Sequence, residues 1–432
     1  MRKKMILISL AIFFLVVFLY GILLISRQYC LNQMQTFGGR FSANENWARK
    51  HLTESAKNFS LDTDPENHLV HISNQIMGPD GVPQYLQPLM ANDDFSRLGT
   101  NSAKQGELQK LIDKNIKTID HLHQFYMEKK GIQDFSKQDL STFLSNGNKI
   151  IYLYTDLTAL AILENNQTKA EELVYESFYS LKVMSFSPKL FLHAQFSALT
   201  YIWLIEIYGQ FVNHFDLPIE KRMQLIALLR ECNELIEISF KNAVLGECFS
   251  LNEEFASSRS CIDWRSNQFN DYFVNLETRP WNWWYLEYQV FKIADQFLNG
   301  YGNFNQYYTF KDAFAQNKKA MILKNSFVQR YCIPFFLMYQ GSLFAFTQIK
   351  CNIIEMYAGI YWKQHGALPH SVAALYPLGL KEDDTIDPYT GKKFQLEISP
   401  PKIGFMHREN INSILSQNAT EWVKEFPIKR KK

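Results

Sequence analysis

The stretch 107-ELQKLIDKNIKTIDHLHQFY-126 decides the fold. Leu108, Leu111, Ile112, Ile116, Ile119, Leu122 and Tyr126 recur at spacings of three and four, so one face of a 3.6-residue helix is apolar and must find a partner to cover it. A helical body therefore begins here. The preceding segment, 28–106, is polar and broken by Gly38-Gly39, Pro65, Gly78, Gly81, Pro83 and Pro88; it reads as a stalk with short helices.

Working toward the C-terminus, the same periodicity predicts a helix over Lys149–Leu163, broken at Asn165-Asn166. Thr168 with Glu171 forms a capping-box pattern that opens the next one. Helices are expected over Leu190–Val212, over Leu217 to about Cys248 with Asp216 as N-cap and Pro218 in the first turn, and over Trp281–Leu298, stopped by Gly300. No self-similar repeat is present, so 107–300 is expected to be an irregular helical array. The last unit, 301–432, reads as a long helix from Pro334 to Gln364, stopped by Gly366, then a small C-terminal β-hairpin element and a basic tail. Within that helix Cys332–Ile349 is uncharged and long enough for a second membrane span. Gln340, Gly341 and Gln348, with amphipathic continuation into Ile353, Ile354, Tyr357 and Tyr361, favour a helix buried in the body.

Toward the N-terminus, Arg2, Lys3 and Lys4 precede an uncharged run, Met5–Ile25, closed by Ser26 and Arg27. About 20 apolar residues at roughly 1.5 Å each match a hydrocarbon core of about 30 Å, and the cations hold the N-terminus on the cytoplasmic side. Residues 1–27 are thus expected to be a short cytoplasmic N-terminus and a transmembrane anchor. The exit, Leu24-Ile25-Ser26-Arg27-Gln28-Tyr29, has no small-x-small cleavage site, and Cys30 lacks the small residue a lipoprotein site requires. The expected location is the bacterial inner membrane, single-pass, with the bulk of the chain periplasmic.

Of the 432 residues, 45 are Lys or Arg and 43 Asp or Glu, a net charge of +2, which leaves no basic stripe for nucleic acid. An aromatic content of 15% excludes a disordered chain. The terminal Lys429-Arg430-Lys431-Lys432 run is read as a solvated tail. Outside the cytoplasm the cysteines can oxidise; Cys248 and Cys261, flanking the polar segment Ser250–Ser260, are the candidate disulfide. Cys232, Cys332 and Cys351 lie in apolar helical patterns and read as core.

Near the C-terminus, Gly366 ends the long helix, Pro369 bars its resumption, and Ser371–Leu375 packs one apolar turn back. Asp387-Pro388-Tyr389-Thr390-Gly391 is a turn sequence launching a strand in which Phe394, Leu396 and Ile398 alternate; Ile403-Gly404-Phe405 is the expected return strand. This ending, Gly366-x-x-Pro369 after a tyrosine-rich helix and then Asp387-Pro388-x-x-Gly391, resembles that of uncharacterised bacterial membrane-anchored helical proteins. It is more loosely similar to the end of type II secretion pseudopilin heads. Leu245-Gly246-Glu247 with Leu251, and Arg279-Pro280-Trp281-Asn282, fit the first group too. The resemblance implies an envelope setting and brings no established activity. Pseudopilin heads bind calcium through a carboxylate-rich loop, which makes Asp383, Asp384 and Asp387, beside Glu382, weak calcium candidates. Met5–Ile25 contains no carboxylate, unlike a pseudopilin helix, so assembly into a pseudopilus is not expected.

Catalytic signals are sparse. Glu253-Glu254 and Asp263-Trp264-Arg265 lie in a polar, aromatic-bordered segment, and a glycan hydrolase needs two carboxylates about 5–10 Å apart with aromatics for sugar stacking. Glu247, Glu254 and Asp263 are the candidates for that chemistry. His121 and His123, two apart on a helix, point to different faces, and His68 and His71 have no carboxylate or Cys partner in view. No nucleophile elbow, Walker loop or dinucleotide fingerprint occurs, and no cofactor or metal is expected. The expectation is a membrane-anchored extracytoplasmic scaffold or protein-binding module in an envelope or secretion-related process, with an envelope protein partner; the alternative is a cell-wall glycan hydrolase using a carboxylate pair.

Overall fold

The computed structural model describes residues 10–33, 36, 69–78, 102–128, 140–185, 208–209, 211–212, 214–260, 283–300, 326–388, 393–399, 402–406 and 421–425. The described chain is mainly helical. Helix α1 is Leu10–Gln33, 24 residues or about 36 Å long. Its apolar side chains face outward all round: Phe13, Phe14, Phe18 and Ile25 are exposed, and none of its apolar window is buried. Among the described residues it is the one helix long and apolar enough to cross a membrane.

The body is built from α2 (Leu69–Asn74), α3 (Ser102–Met127), α4 (Leu140–Leu163), α5 (Gln167–Ser185), α6 (Ile219–Ser260), α7 (Trp283–Gly300) and α8 (Ser326–His365). Helices α4 and α5 form an antiparallel hairpin, and α8 lies along α6, with α7 contacting both. Asn165 turns the hairpin at φ 54°, a conformation asparagine tolerates better than most residues. The N-cap of α5 is Asn166, whose Oδ1 accepts from Lys169 N at 3.1 Å; Thr168, expected in that role, lies inside the first turn. Helix α6 opens where Pro218 O accepts from Arg222 N (3.1 Å), two residues beyond the expected Asp216 cap. The Asp216 carboxylate pairs with Lys363 at 2.6 Å. Helix α6 also runs on as helix to Ser260. Most of the expected Leu190–Val212 helix lies outside the described residues.

One core unites α2 to α6, α8 and the residues around Tyr208–Leu217. On α3 the buried face carries Leu108, Leu111, Leu122 and Phe125, while Ile116 is 56% exposed and Asn115 is fully buried in its place. Asn115 binds the segment after α2: Met77 N donates to its Oδ1, and its Nδ2 donates to Met77 O, both at 2.8 Å. Residues of the expected stalk are therefore part of this core, with Leu69, Ile72 and Ile76 buried in it.

The uncharged half of α8 packs within the body. Tyr339, Leu343, Ala345 and Ile349 are buried, and the Tyr339 ring meets Phe240 of α6 and Phe297 of α7 at 5.9 and 5.7 Å. Such ring pairs add about 0.5–1.5 kcal/mol each beyond area burial. Deeper along the α6–α8 contact, Arg222 lies against Gly359: a Cβ there would sit 2.8 Å from Nη1, so any larger residue must push the guanidinium aside. Arg222 is nine-tenths shielded, held by Leu217 O and by the charges of Glu355 and Asp216.

Candidate functional site

Two constellations of charged side chains are drawn together by this packing. The first closes the C-terminal element over α6 and α8. Gly366, at φ 70°, ends α8, its N–H bonding Trp362 O at 2.8 Å. The chain returns through the 3₁₀ turn Val372–Leu378, which buries Leu375, and reverses at Gly379, φ 105°. Tyr357 donates its hydroxyl to Gly379 O at 2.9 Å. Arg230, from α6, reaches the same carbonyl at 3.3 Å and the Asp384 carboxylate at 2.5 Å, with its guanidinium 5.8 Å from the Tyr357 ring centre. Asp384 also accepts from Lys381 N at 3.0 Å.

The acidic loop envisaged for calcium is gathered round a built-in cation. Lys350, buried on α8, donates to Asp383 O at 2.7 Å and Ile386 O at 3.2 Å, with the Asp383 carboxylate 3.9 Å away. Burial pulls its pKa below the usual lysine value, and the charges of Asp383, Asp384 and Asp387 partly restore it. Two carbonyls with neighbouring carboxylates are ligands a hard cation would use, and here an ammonium takes them. Asp387 and Pro388 are buried beside it, whereas Gly391 lies outside the described residues. Beyond the turn, Phe394 N donates to Thr385 O at 2.8 Å, and Ile386 bridges Lys393.

The second constellation joins α3 to α5. Glu172 and Glu176, one turn apart on α5, meet His123 of α3: its Nδ1 is 2.6 Å from Glu176 Oε1 and 3.6 Å from Glu172 Oε1. Lys169 holds the other oxygen of Glu172 at 2.9 Å. Glu176 is the floor, with its side chain 2% exposed, while His123 at 40% and Glu172 at 35% form a rim open to solvent. Burial raises the Glu176 carboxyl above the usual range, and the hydrogen bond and charge of His123 partly offset it. Tyr154 of α4 is fully buried beneath, its hydroxyl near Ser180 and Glu176 but with no hydrogen bond of good geometry. Ser180 Oγ is likewise without a partner.

Of the expected hydrolase residues, Glu247 and Glu254 fall on one continuous helix, α6, seven positions or about 10 Å of axial rise apart. Asp263 lies outside the described residues, as does Cys261 of the candidate disulfide with Cys248. Cys232 and Cys351 are free and buried, as core cysteines should be. The sequence did carry a trace of the His123 cluster in the one-turn spacing of Glu172 and Glu176. Its third member became visible only when α3 was laid against α5.

Comparison with protein-family models, with curated proteins and with solved structures finds no match.

Proposed function

We propose that this chain is a single-pass inner-membrane protein whose helical body stands on the periplasmic side and serves as a scaffold or protein-binding module in an envelope process. The observation that carries the reading is α1: a helix of membrane-spanning length, apolar on every side, attached to a body whose own apolar helices are buried. Such a helix has no place in water, because exposed leucine and phenylalanine side chains each forfeit about 1.5–3 kcal/mol of transfer free energy. The cations Arg2, Lys3 and Lys4 favour a cytoplasmic N-terminus. The C-terminal β element belongs to the same reading. We read Gln395–Ser399, Lys402–Met406 and Glu421–Glu425, paired antiparallel in that order, as this element.

A photo-crosslinker at Ile116 or Met127, both exposed on α3, tests the binding role in intact cells. The expected result is a discrete adduct with an envelope protein, retained in Glu247→Ala and Glu254→Ala. Turnover of a muropeptide substrate by the purified chain, abolished by either substitution, would replace this reading with the hydrolase.

A further inference from the structure

We infer that His123, Glu172 and Glu176 form a binding site for one divalent transition-metal ion of the zinc type. One imidazole and two carboxylates are ligands that zinc accepts, three protein donors leaving a fourth position for water. Every donor atom of the trio lies within 4.8 Å of the others. Around a tetrahedral zinc with bonds of about 2.0–2.1 Å, donor atoms stand roughly 3.3 Å apart. The His123–Glu172 separation of 3.6 Å is already near that value. The 2.6 Å His123–Glu176 contact is spanned by a proton, and an ion replacing that proton opens it by well under 1 Å. The helices hold all three side chains within reach of one ion, so closing round it is a matter of side-chain adjustment.

The surroundings fit the same role. Lys169 fixes one oxygen of Glu172 and leaves the other toward His123, the kind of outer contact that orients a ligating carboxylate. The half-exposed rim gives an ion a way in, and the buried floor strips its water on the far side. An independent sign is Tyr154, whose wholly buried hydroxyl lies beside Glu176 and Ser180 without a hydrogen bond of good geometry to either. A buried hydroxyl left unpaired is costly. When Glu176 turns one oxygen to an ion, the other is free to accept from Tyr154.

The test uses the full-length, untagged chain in detergent micelles, stripped with chelator and titrated with zinc chloride by calorimetry, with cobalt(II) absorption reporting coordination. One zinc per chain is expected, with His123→Gln and Glu172→Gln each weakening binding by at least the roughly 10- to 100-fold that loss of an orienting partner alone costs. Glu172 is half-exposed, so the metal-free melting temperature of Glu172→Gln should hold, whereas His123→Gln also alters the partner of buried Glu176 and is read by its affinity on protein that still melts cooperatively. Tyr154→Phe supplies a second readout: weaker zinc binding with a metal-free protein no less stable. Failure to bind zinc more tightly than about 100 µM, or equal affinity in wild type, His123→Gln and Glu172→Gln, would overturn the assignment.

Discussion

Asn115 holds Met77 by its own side-chain amide, accepting from the Met77 N–H and donating to the Met77 carbonyl, both at 2.8 Å. The pair works as a one-residue ladder between buried Asn115 and half-buried Met77, and a further bond from Asn115 Nδ2 to Leu111 O fixes the amide's orientation. Asn115→Leu removes every one of these partners and leaves two backbone groups of Met77 unmet. An unsatisfied buried group costs about 1–3 kcal/mol, and because Met77 is only half-buried a loss of about 1–3 kcal/mol in all is expected in chemical denaturation. Protease cleavage between α2 and α3 should also accelerate, because this bond pair pins the segment after α2 to α3.

The contact of Arg222 with Gly359 gives a second, sharper expectation. Gly359→Ala places a methyl 2.8 Å from Nη1 of a guanidinium enclosed by Leu217 O and Glu355. An overpacked site of this kind costs about 1–3 kcal/mol. Gly106→Ala, also within a helix but with nothing within 4 Å of the new Cβ, should instead stabilise by about 0.5–1 kcal/mol. Thermal melts of the two variants should move in opposite directions.

Lys350 makes an alkaline signature. Its folded pKa is lowered by burial, so in the window between that value and the ordinary 10.5 the unfolded chain carries a proton the folded one lacks. Stability contributed by this group therefore rises with pH across the window, having been reduced below it by the desolvated charge. Lys350→Gln lacks the term. The stability of wild type relative to this variant should grow as pH rises from neutral toward the usual lysine value, as read by denaturant titrations at matched ionic strength.

Much of the helical plan was legible because the apolar positions of α3, α4 and α8 repeat at helical spacing and because Gly366 marks a true reversal. Ile116 and Asn115 show the limit of that signal. Periodicity put isoleucine inward, yet the helix is rotated so that asparagine faces α2's tail, a choice made by hydrogen bonding to a distant segment rather than by hydrophobicity. The segment 69–78 looked like stalk since its neighbours are polar and broken by glycine and proline, while its own Leu69, Ile72 and Ile76 follow a helical stripe too short to stand out. The His123 cluster was hidden for a different reason. Its ligand-bearing positions are 49 and 53 residues apart along the chain (172 − 123 and 176 − 123), and only the pairing of α3 with α5 makes them neighbours. Likewise Asp383, Asp384 and Asp387 are weak calcium candidates through the pseudopilin resemblance alone, and only the packing shows the Lys350 ammonium on two carbonyls of that loop.

The central claim, one membrane anchor with the helical body outside the cytoplasm, is tested most directly by topology reporters. Alkaline phosphatase, active only outside, and a fluorescent protein, emitting only in the cytoplasm, are fused after Leu298 and after Lys432. Phosphatase activity with no fluorescence at both positions is the predicted result. Fluorescence at both would place the body in the cytoplasm, and a switch between the two would make α8 a second span; either contradicts the account.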